Sequence, residues 1–331
     1  MTKHTFTGSA DESALDRSVR MLRTAMGPLI AQALADRDIV EILVNPDGTL
    51  WLDRLGSGRA PSGTVMSAVD AERIIRLVAA HVRAEVHAGS PIVSAELPQT
   101  GERFEGLLPP VVRAPTFSIR KRAVRILSLE DYVAQGILTG QQADYLRDAI
   151  AHELNILIAG ATATGKTTLA NALLQEVAAT GDRVILIEDT VELQCAAADH
   201  VSLRTHPGVA SMRDLARSTL RLRPDRVVVG EVRGGEALDM LKLWGTGHTG
   251  IATIHAGTTR GALARLEQLI LEVSVTVPRP LIAEAVNVIV LIAGRGRARR
   301  VEEIARVTGL VGQSYQIETV VASTGDSGDQ P

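Results

Sequence analysis

Between residues 155 and 178 the chain runs through an unbroken apolar stretch, a glycine-bounded loop and a helical segment, in that order. No other feature restricts the fold as much. The stretch Asn155 to Ala159 reads as a buried strand, and Thr168 to Ala178 reads as a helix halted by Gly181. Between them, Gly160-Ala161-Thr162-Ala163-Thr164-Gly165-Lys166-Thr167 matches G-x-x-x-x-G-K-[ST] without a mismatch. Such a loop turns successive backbone N–H groups onto phosphate oxygens at a helix N-terminus, where the dipole favours negative charge. Residues 160–168 are therefore the expected cradle for ATP, from Gly160 through Thr168. Lys166 reaches the β- and γ-phosphates in this reading, and the Thr167 hydroxyl ligates Mg²⁺. Ala163 stands where such loops often carry Gly; if the position needs positive φ, Ala costs about 1 kcal/mol.

Four further short apolar runs follow at Val184–Ile187, Val227–Val229, Ala252–Ile254 and Val288–Ile292. None alternates inward and outward residues, which predicts a parallel sheet covered on both faces. Hydrolysis needs an acid on a neighbouring strand to orient water or hold the metal. Glu188-Asp189 closes one strand, with Glu192 four residues on, and Glu231 closes another. Carboxylates at the C-terminal ends of parallel strands face the ligand crevice. His248 and His255 flank the strand before Ala256; their spacing is not that of a zinc site. His248 reads as structural, whereas His255 is either structural or a donor to the γ-phosphate or the catalytic water.

The chain is long enough, at 331 residues, for two domains. Residues 1–15 and 321–331 are polar and expected to be disordered, the tail being rich in Ser, Gly and Asp. Residues 16–120 form an α+β domain: a helix from Ala14 to Ala35, a hairpin around Asn45-Pro46-Asp47-Gly48, a Ser-capped helix over Ser67–Ala84, then short strands. Residues 121–130 read as a linker and 131–320 as the phosphate-loop domain. Cys195 is alone, so no disulfide can form within one chain, which fits a reducing cytoplasm. The longest apolar stretch, Ala285 to Ala293, is too short to span a bilayer, so membrane contact would be peripheral. A net charge of −3 and 2% aromatic residues argue against a polynucleotide-binding platform.

Read together, the downstream blocks resemble one family. Glu188-Asp189-Thr190-Val191-Glu192-Leu193 is similar to the acidic box of the secretion traffic ATPases. Gly230-Glu231-Val232-Arg233 resembles their Walker B motif, with Gly before the Glu, and Thr246–Ala256 resembles their histidine box. Arg221-Leu222-Arg223-Pro224-Asp225-Arg226 completes the pattern. Within the superfamily the chain looks most like the type IV secretion ATPases, in their conjugal-transfer branch, the TrbB family. Ile42–Gly48, Arg103–Pro110 and Pro115–Lys121 resemble the N-terminal domain of that family.

The resemblance implies a RecA-like P-loop ATPase domain with a smaller, PAS-like α+β N-terminal domain. It also implies a homo-oligomer, a hexameric ring, on the cytoplasmic face of the inner membrane beside components of a secretion apparatus. ATP turnover would drive conjugative DNA transfer or pilus assembly, with no sequence-specific nucleic-acid binding. By the same resemblance Glu188 is the general base, Glu231 holds Mg²⁺ through water and His255 senses the γ-phosphate, the two glutamates being exchangeable in role. Arg103, Arg113 and Arg120 are expected to neutralise phosphoryl charge, because the family's N-terminal domain lies over the nucleotide. Arg213, Arg221 and Arg223 are further arginines that could act across subunits. Arg295-Gly296-Arg297-Ala298-Arg299-Arg300 reads as an exposed, solvated turn. Two other functions share the phosphate loop: a DNA translocase, and a nucleotide-gated binding module that hydrolyses too slowly to do work. A small-molecule kinase fits worst, since no acceptor-binding segment lies between the motifs.

Overall fold

The computed structural model describes residues 8–55, 57–121, 126–206 and 208–322. Residues 1–7 of the expected disordered N-terminus, 122–125 of the expected linker and 323–331 of the expected tail lie outside the described residues. The chain divides into two compact units, 1–124 and 125–331.

The first unit opens with α1 (Gly8–Ala35), which begins inside the segment expected to lack structure. It is not one continuous helix as its periodicity suggests. Gly27 sits at φ 71° and ψ 176° ahead of Pro28, and the residue before a proline avoids the helical region. Strands β1 (Ile39–Val44), β2 (Thr49–Arg54) and β3 (Gly58–Val65) follow. Next come α2 (Ala68–His81), β4 (Ile92–Glu96), β5 (Arg103–Leu107) and β6 (Thr116–Arg120). The strands form one antiparallel sheet in the order β3-β2-β1-β6-β5-β4. Ser67 caps α2 by accepting from the Asp70 amide, as the sequence suggests. Ile42, Val44, Phe104, Phe117 and Ile119 point to one face and pack on Ile74, Ile75 and Val78 of α2.

The second unit begins with α3 (Leu129–Ala134) and α4 (Gly140–Ala151), both opened by capping boxes. It continues through β7 (Ile156–Gly160), α5 (Lys166–Ala178), β8 (Val184–Glu188), β9 (His200–Arg204) and α6 (Met212–Thr219). After these come β10 (Arg226–Val232), α7 (Glu236–Trp244), β11 (Thr249–His255), α8 (Thr259–Leu271) and α9 (Arg279–Ala285). Strands β12 (Val288–Ala293), β13 (Arg300–Val311) and β14 (Ser314–Ala322) close the sheet. Its order is β14-β13-β12-β7-β11-β10-β8-β9. From β12 to β9 every pair is parallel, and β13 and β14 add an antiparallel edge. β14 runs into the segment expected to be a disordered tail.

The apolar strands are continuous because both sheet faces are covered. Ile156, Ile158, Leu186 and Val228 face a core with Leu146, Leu169 and Leu173 of α4 and α5. Leu157, Ile185, Ile187 and Val229 face the opposite core, with Met240, Trp244 and Leu266. At the N-terminal end of the sheet, Asn155 joins three segments. Its Oδ1 accepts from the Gly250 amide at 3.0 Å and its Nδ2 donates to the Ala285 carbonyl at 2.7 Å. Its own amide donates to Asn287 Oδ1 at 2.8 Å.

Candidate nucleotide site

The two glycines of the loop are held by geometry that no side chain fits. A Cβ on Gly160 would lie 2.5 Å from the Ile292 carbonyl oxygen, and Gly165 sits at φ +97° as the N-cap of α5. No side chain caps that helix, so its first amides are left to another acceptor. Thr164 braces the loop from within, its hydroxyl donating to the Ala161 carbonyl at 3.0 Å. Ala163 does occupy the left-handed region, at φ +64°.

Lys166 is buried, with polar partners at its ammonium. Nζ donates to the carbonyls of Gly160 and Ala161, each at 3.1 Å, and lies 3.2 Å from His255 Nδ1. Parallel pairing of β7 with β11 sets this contact, because Gly160 and His255 are direct partners at the strand ends. His255 Nε2 in turn lies 2.6 Å from Glu231 Oε1, and Glu231 Oε2 accepts from Arg233 at 2.5 Å. The ammonium can only donate, so the Lys166 contact is a hydrogen bond when Nδ1 carries no proton, whereas the imidazole and the Glu231 carboxylate lie close without sharing a hydrogen bond.

Two causes explain why His255 stays neutral. Burial and the Lys166 charge depress its pKa below the ordinary imidazole value, against the opposing pull of Glu231. For Glu231, burial pushes the carboxyl up, but the Arg233 hydrogen bond and the charges of Arg233 and Lys166 outweigh it. The net effect holds Glu231 ionised below the usual carboxylate range.

Glu188, at the end of β8, is buried and accepts the amides of Glu192 at 2.9 Å and Leu193 at 2.7 Å on Oε1. The glycine before Glu231 makes room for it: a Cβ on Gly230 would stand 3.1 Å from Glu188 Cγ. Asp189 accepts from the Thr205 hydroxyl at 2.9 Å and faces Arg233 at 3.9 Å. Arg233 thus bridges the two acidic strand ends, a contact that the sequence motif contains but does not specify. Asn171 is likewise hidden in the sequence as one polar residue on the buried side of α5. Its Nδ2 donates to the Glu192 carbonyl and its Oδ1 accepts from the Gln194 amide, which ties the phosphate-loop helix to the acidic segment.

Other residues singled out from sequence fall elsewhere. His248 precedes β11 and His255 ends it, so about 20 Å of strand separates them, and His248 contacts Thr246 Oγ1 at 3.3 Å. Among the described residues, no group of three or more His, Cys, Asp or Glu side chains could hold a metal ion. Arg103, Arg113 and Arg120 belong to the first unit, where Arg103 and Arg120 are direct cross-strand partners, flanked by Glu96 and Glu41. Arg213 is engaged with Asp239 at 2.9 Å, whereas Arg221 and Arg223 are exposed.

The basic turn after β12 is exposed at Arg295, Gly296, Arg297, Ala298 and Arg300, as its composition suggests, but it also touches the phosphate loop. Gly294, at φ +73°, folds it back, and Arg295 donates to the Thr162 carbonyl at 3.0 Å. The Arg299 side chain lies against Gly165. Sequence alone could not reveal this, because it follows from β12 pairing beside β7.

Comparison with known proteins places these features in context. A model of the family described as Type II/IV secretion system protein matches residues 28–317. The chain is 51% identical over 306 residues to a probable conjugal transfer protein TrbB of Sinorhizobium fredii, covering 92% of this chain and 94% of that one. It is 33% identical over 320 residues to the type IV secretion system protein PtlH of Bordetella pertussis, covering 84% and 93%. Among solved structures, the Legionella pneumophila ATPase DotB aligns with a TM-score of 0.57 at 19% identity, over 88% of this chain and 78% of that one. The pilus retraction motor PilT with bound ADP aligns at 0.60 and 16% identity, over 91% and 83%. At such identities these two likenesses are of fold.

Proposed function

Because the chain belongs to the type II/IV secretion system protein family, we propose that it is an ATPase that energises type IV secretion or conjugative transfer. One observation carries the reading: the phosphate-loop lysine, His255 and Glu231 lie in series beside the ends of three adjacent strands, Lys166 Nζ 3.2 Å from His255 Nδ1 and His255 Nε2 2.6 Å from Glu231 Oε1. Lys166 is held by carbonyls and an imidazole nitrogen, acceptors weaker than an ionised phosphate, so a triphosphate can draw its ammonium away. That movement would leave His255 Nδ1 without its donor, which is how the histidine would report the γ-phosphate. Mg²⁺ would be held by the Thr167 hydroxyl and, through water, by Glu231, and would neutralise charge on the phosphates. Glu188 is the base in this scheme, its carboxylate oriented by the amides of Glu192 and Leu193.

The finer architecture belongs to the same proposal. The second unit is read as RecA-like and the first as PAS-like; the antiparallel order around β1 and β6 supports the latter. The working form is a ring of identical subunits, a hexamer, acting with apparatus components at the cytoplasmic face of the inner membrane. Arg103, Arg113 and Arg120 would supply positive charge to the nucleotide. No helix among the described residues is long and apolar enough to cross a membrane. Phosphate release and light scattering with ATP and Mg²⁺ test the reading. Wild type should form a multimer that releases phosphate, and Lys166→Ala and Glu188→Gln should both abolish release. A monomer with full turnover would refute the ring. Left-handed strain at Ala163 favours the rival binding module, which predicts assembly with nucleotide but no phosphate release.

A further inference from the structure

The chain flanks its phosphate loop on two sides, and the proposal above uses only one of them. In the sheet, β7 lies between β11 and β12. His255 and Glu231 come from β11 and the next strand, β10, so the metal and the γ-phosphate belong on that side. The opposite flank is built by the turn between β12 and β13. There the Arg299 Cζ and Nε each lie 3.1 Å from the point where a side chain on Gly165 would begin. The guanidinium is therefore packed on the backbone of the residue whose amide opens α5. Its Nε is buried and finds no acceptor among the described residues. The fully buried Tyr132 hydroxyl also has none. A buried donor without a partner costs free energy, so packing alone holds the inner edge of the Arg299 side chain in place. The turn is also fixed in place. Arg295 donates to the Thr162 carbonyl, the Val301 amide donates to the Ile137 carbonyl at 2.7 Å, and buried Gln142 donates to the Val301 carbonyl at 3.2 Å.

We infer that Arg299 is a nucleotide ligand contributed by the same subunit, and that it contacts the α-phosphate at the nucleoside end of bound ATP or ADP. The inference rests on the nucleotide reading proposed above and adds a contact on the flank which that reading leaves empty. An α-phosphate ligand is made in the substrate and product complexes alike. It differs in this from His255, which faces the γ-phosphate. A fixed guanidinium is suited to the task because it offers forked donors and stays charged at all physiological pH values.

The test is equilibrium binding of Mg²⁺–ATP and Mg²⁺–ADP to the full chain, with thermal melts to verify folding. Wild type, Arg299→Ala, Arg299→Lys and Arg297→Ala are compared. Arg297 is exposed on the same turn and controls for general loss of positive charge. Arg299→Ala should weaken ATP and ADP by the same factor, about ten- to a hundredfold. Arg299→Lys should fall between it and wild type, and Arg297→Ala should bind as wild type does. Unchanged affinity in a folded Arg299→Ala protein, a loss confined to ATP, or an equal loss in Arg297→Ala would overturn the inference. Wild-type protein that binds neither nucleotide would remove the underlying reading, and this inference with it.

Discussion

At the scale of single residues, Ala163 carries a backbone conformation that its side chain opposes. An L-residue in the left-handed region is disfavoured by roughly 1 kcal/mol, and glycine is not. Ala163→Gly should therefore raise the urea midpoint by an amount corresponding to about 1 kcal/mol or somewhat less, the flexible unfolded chain offsetting part of the gain. A lower midpoint would show that the loop is not strained there. His255 makes a pH-dependent prediction of definite sign. Its pKa is depressed by burial and by Lys166, so just below the ordinary value of about 6.5 the unfolded chain holds this proton more readily than the folded one. The stability contributed by neutral His255 is present above that value and is lost as pH falls through the folded pKa. Ring titration by NMR should place His255 below the ordinary imidazole value, and His255→Gln should remove this component of the acid-side loss of stability. A ring that titrates above that value would contradict the close approach of the Lys166 ammonium to the imidazole.

At the scale of elements, the tie between α5 and the segment 192–194 is a single amide side chain. Asn171→Ala removes both hydrogen bonds and leaves the Gln194 amide and the Glu192 carbonyl without their partner. A loss of about 1–3 kcal/mol in urea unfolding is expected, together with a slower phosphate release as the loop that orients Glu188 loosens. No change in either would mean that α5 and the acidic segment are held by packing alone. Which elements could be read from sequence follows from how each is stabilised. Apolar strands β7, β8, β10, β11 and β12 were visible because burial on both faces leaves only apolar residues. Edge strand β9 was missed, since His200, Ser202 and Arg204 leave it with two apolar residues. The break in α1 needed the pairing of Gly27 with Pro28 to be weighed against a strong helical periodicity. The loop, Glu188, Glu231 and His255 were legible through spacing and strand ends. Contacts made by the turn 294–299 were not, because they depend on the spatial order of strands far apart in the chain.

At the scale of the whole molecule, each unit owns its core. Both apolar layers of the second unit are formed by residues after 125, and the cluster around Ile42, Ile74 and Phe117 closes within the first. A fragment of residues 125–331 should therefore melt in one cooperative transition by circular dichroism. A broad, non-cooperative melt would show that its core depends on residues before 125. Asn155 adds a constraint that reaches the opposite end of the same sheet. It fastens the start of β7 to Gly250 and to the segment between α9 and β12, at the end remote from the phosphate loop. The same three strands are then held by their ladders as far as Gly160 and His255. A strand anchored at its base and zipped on both sides delivers its last residue to one place, so the site at the far rim inherits its position from an amide side chain a whole strand away.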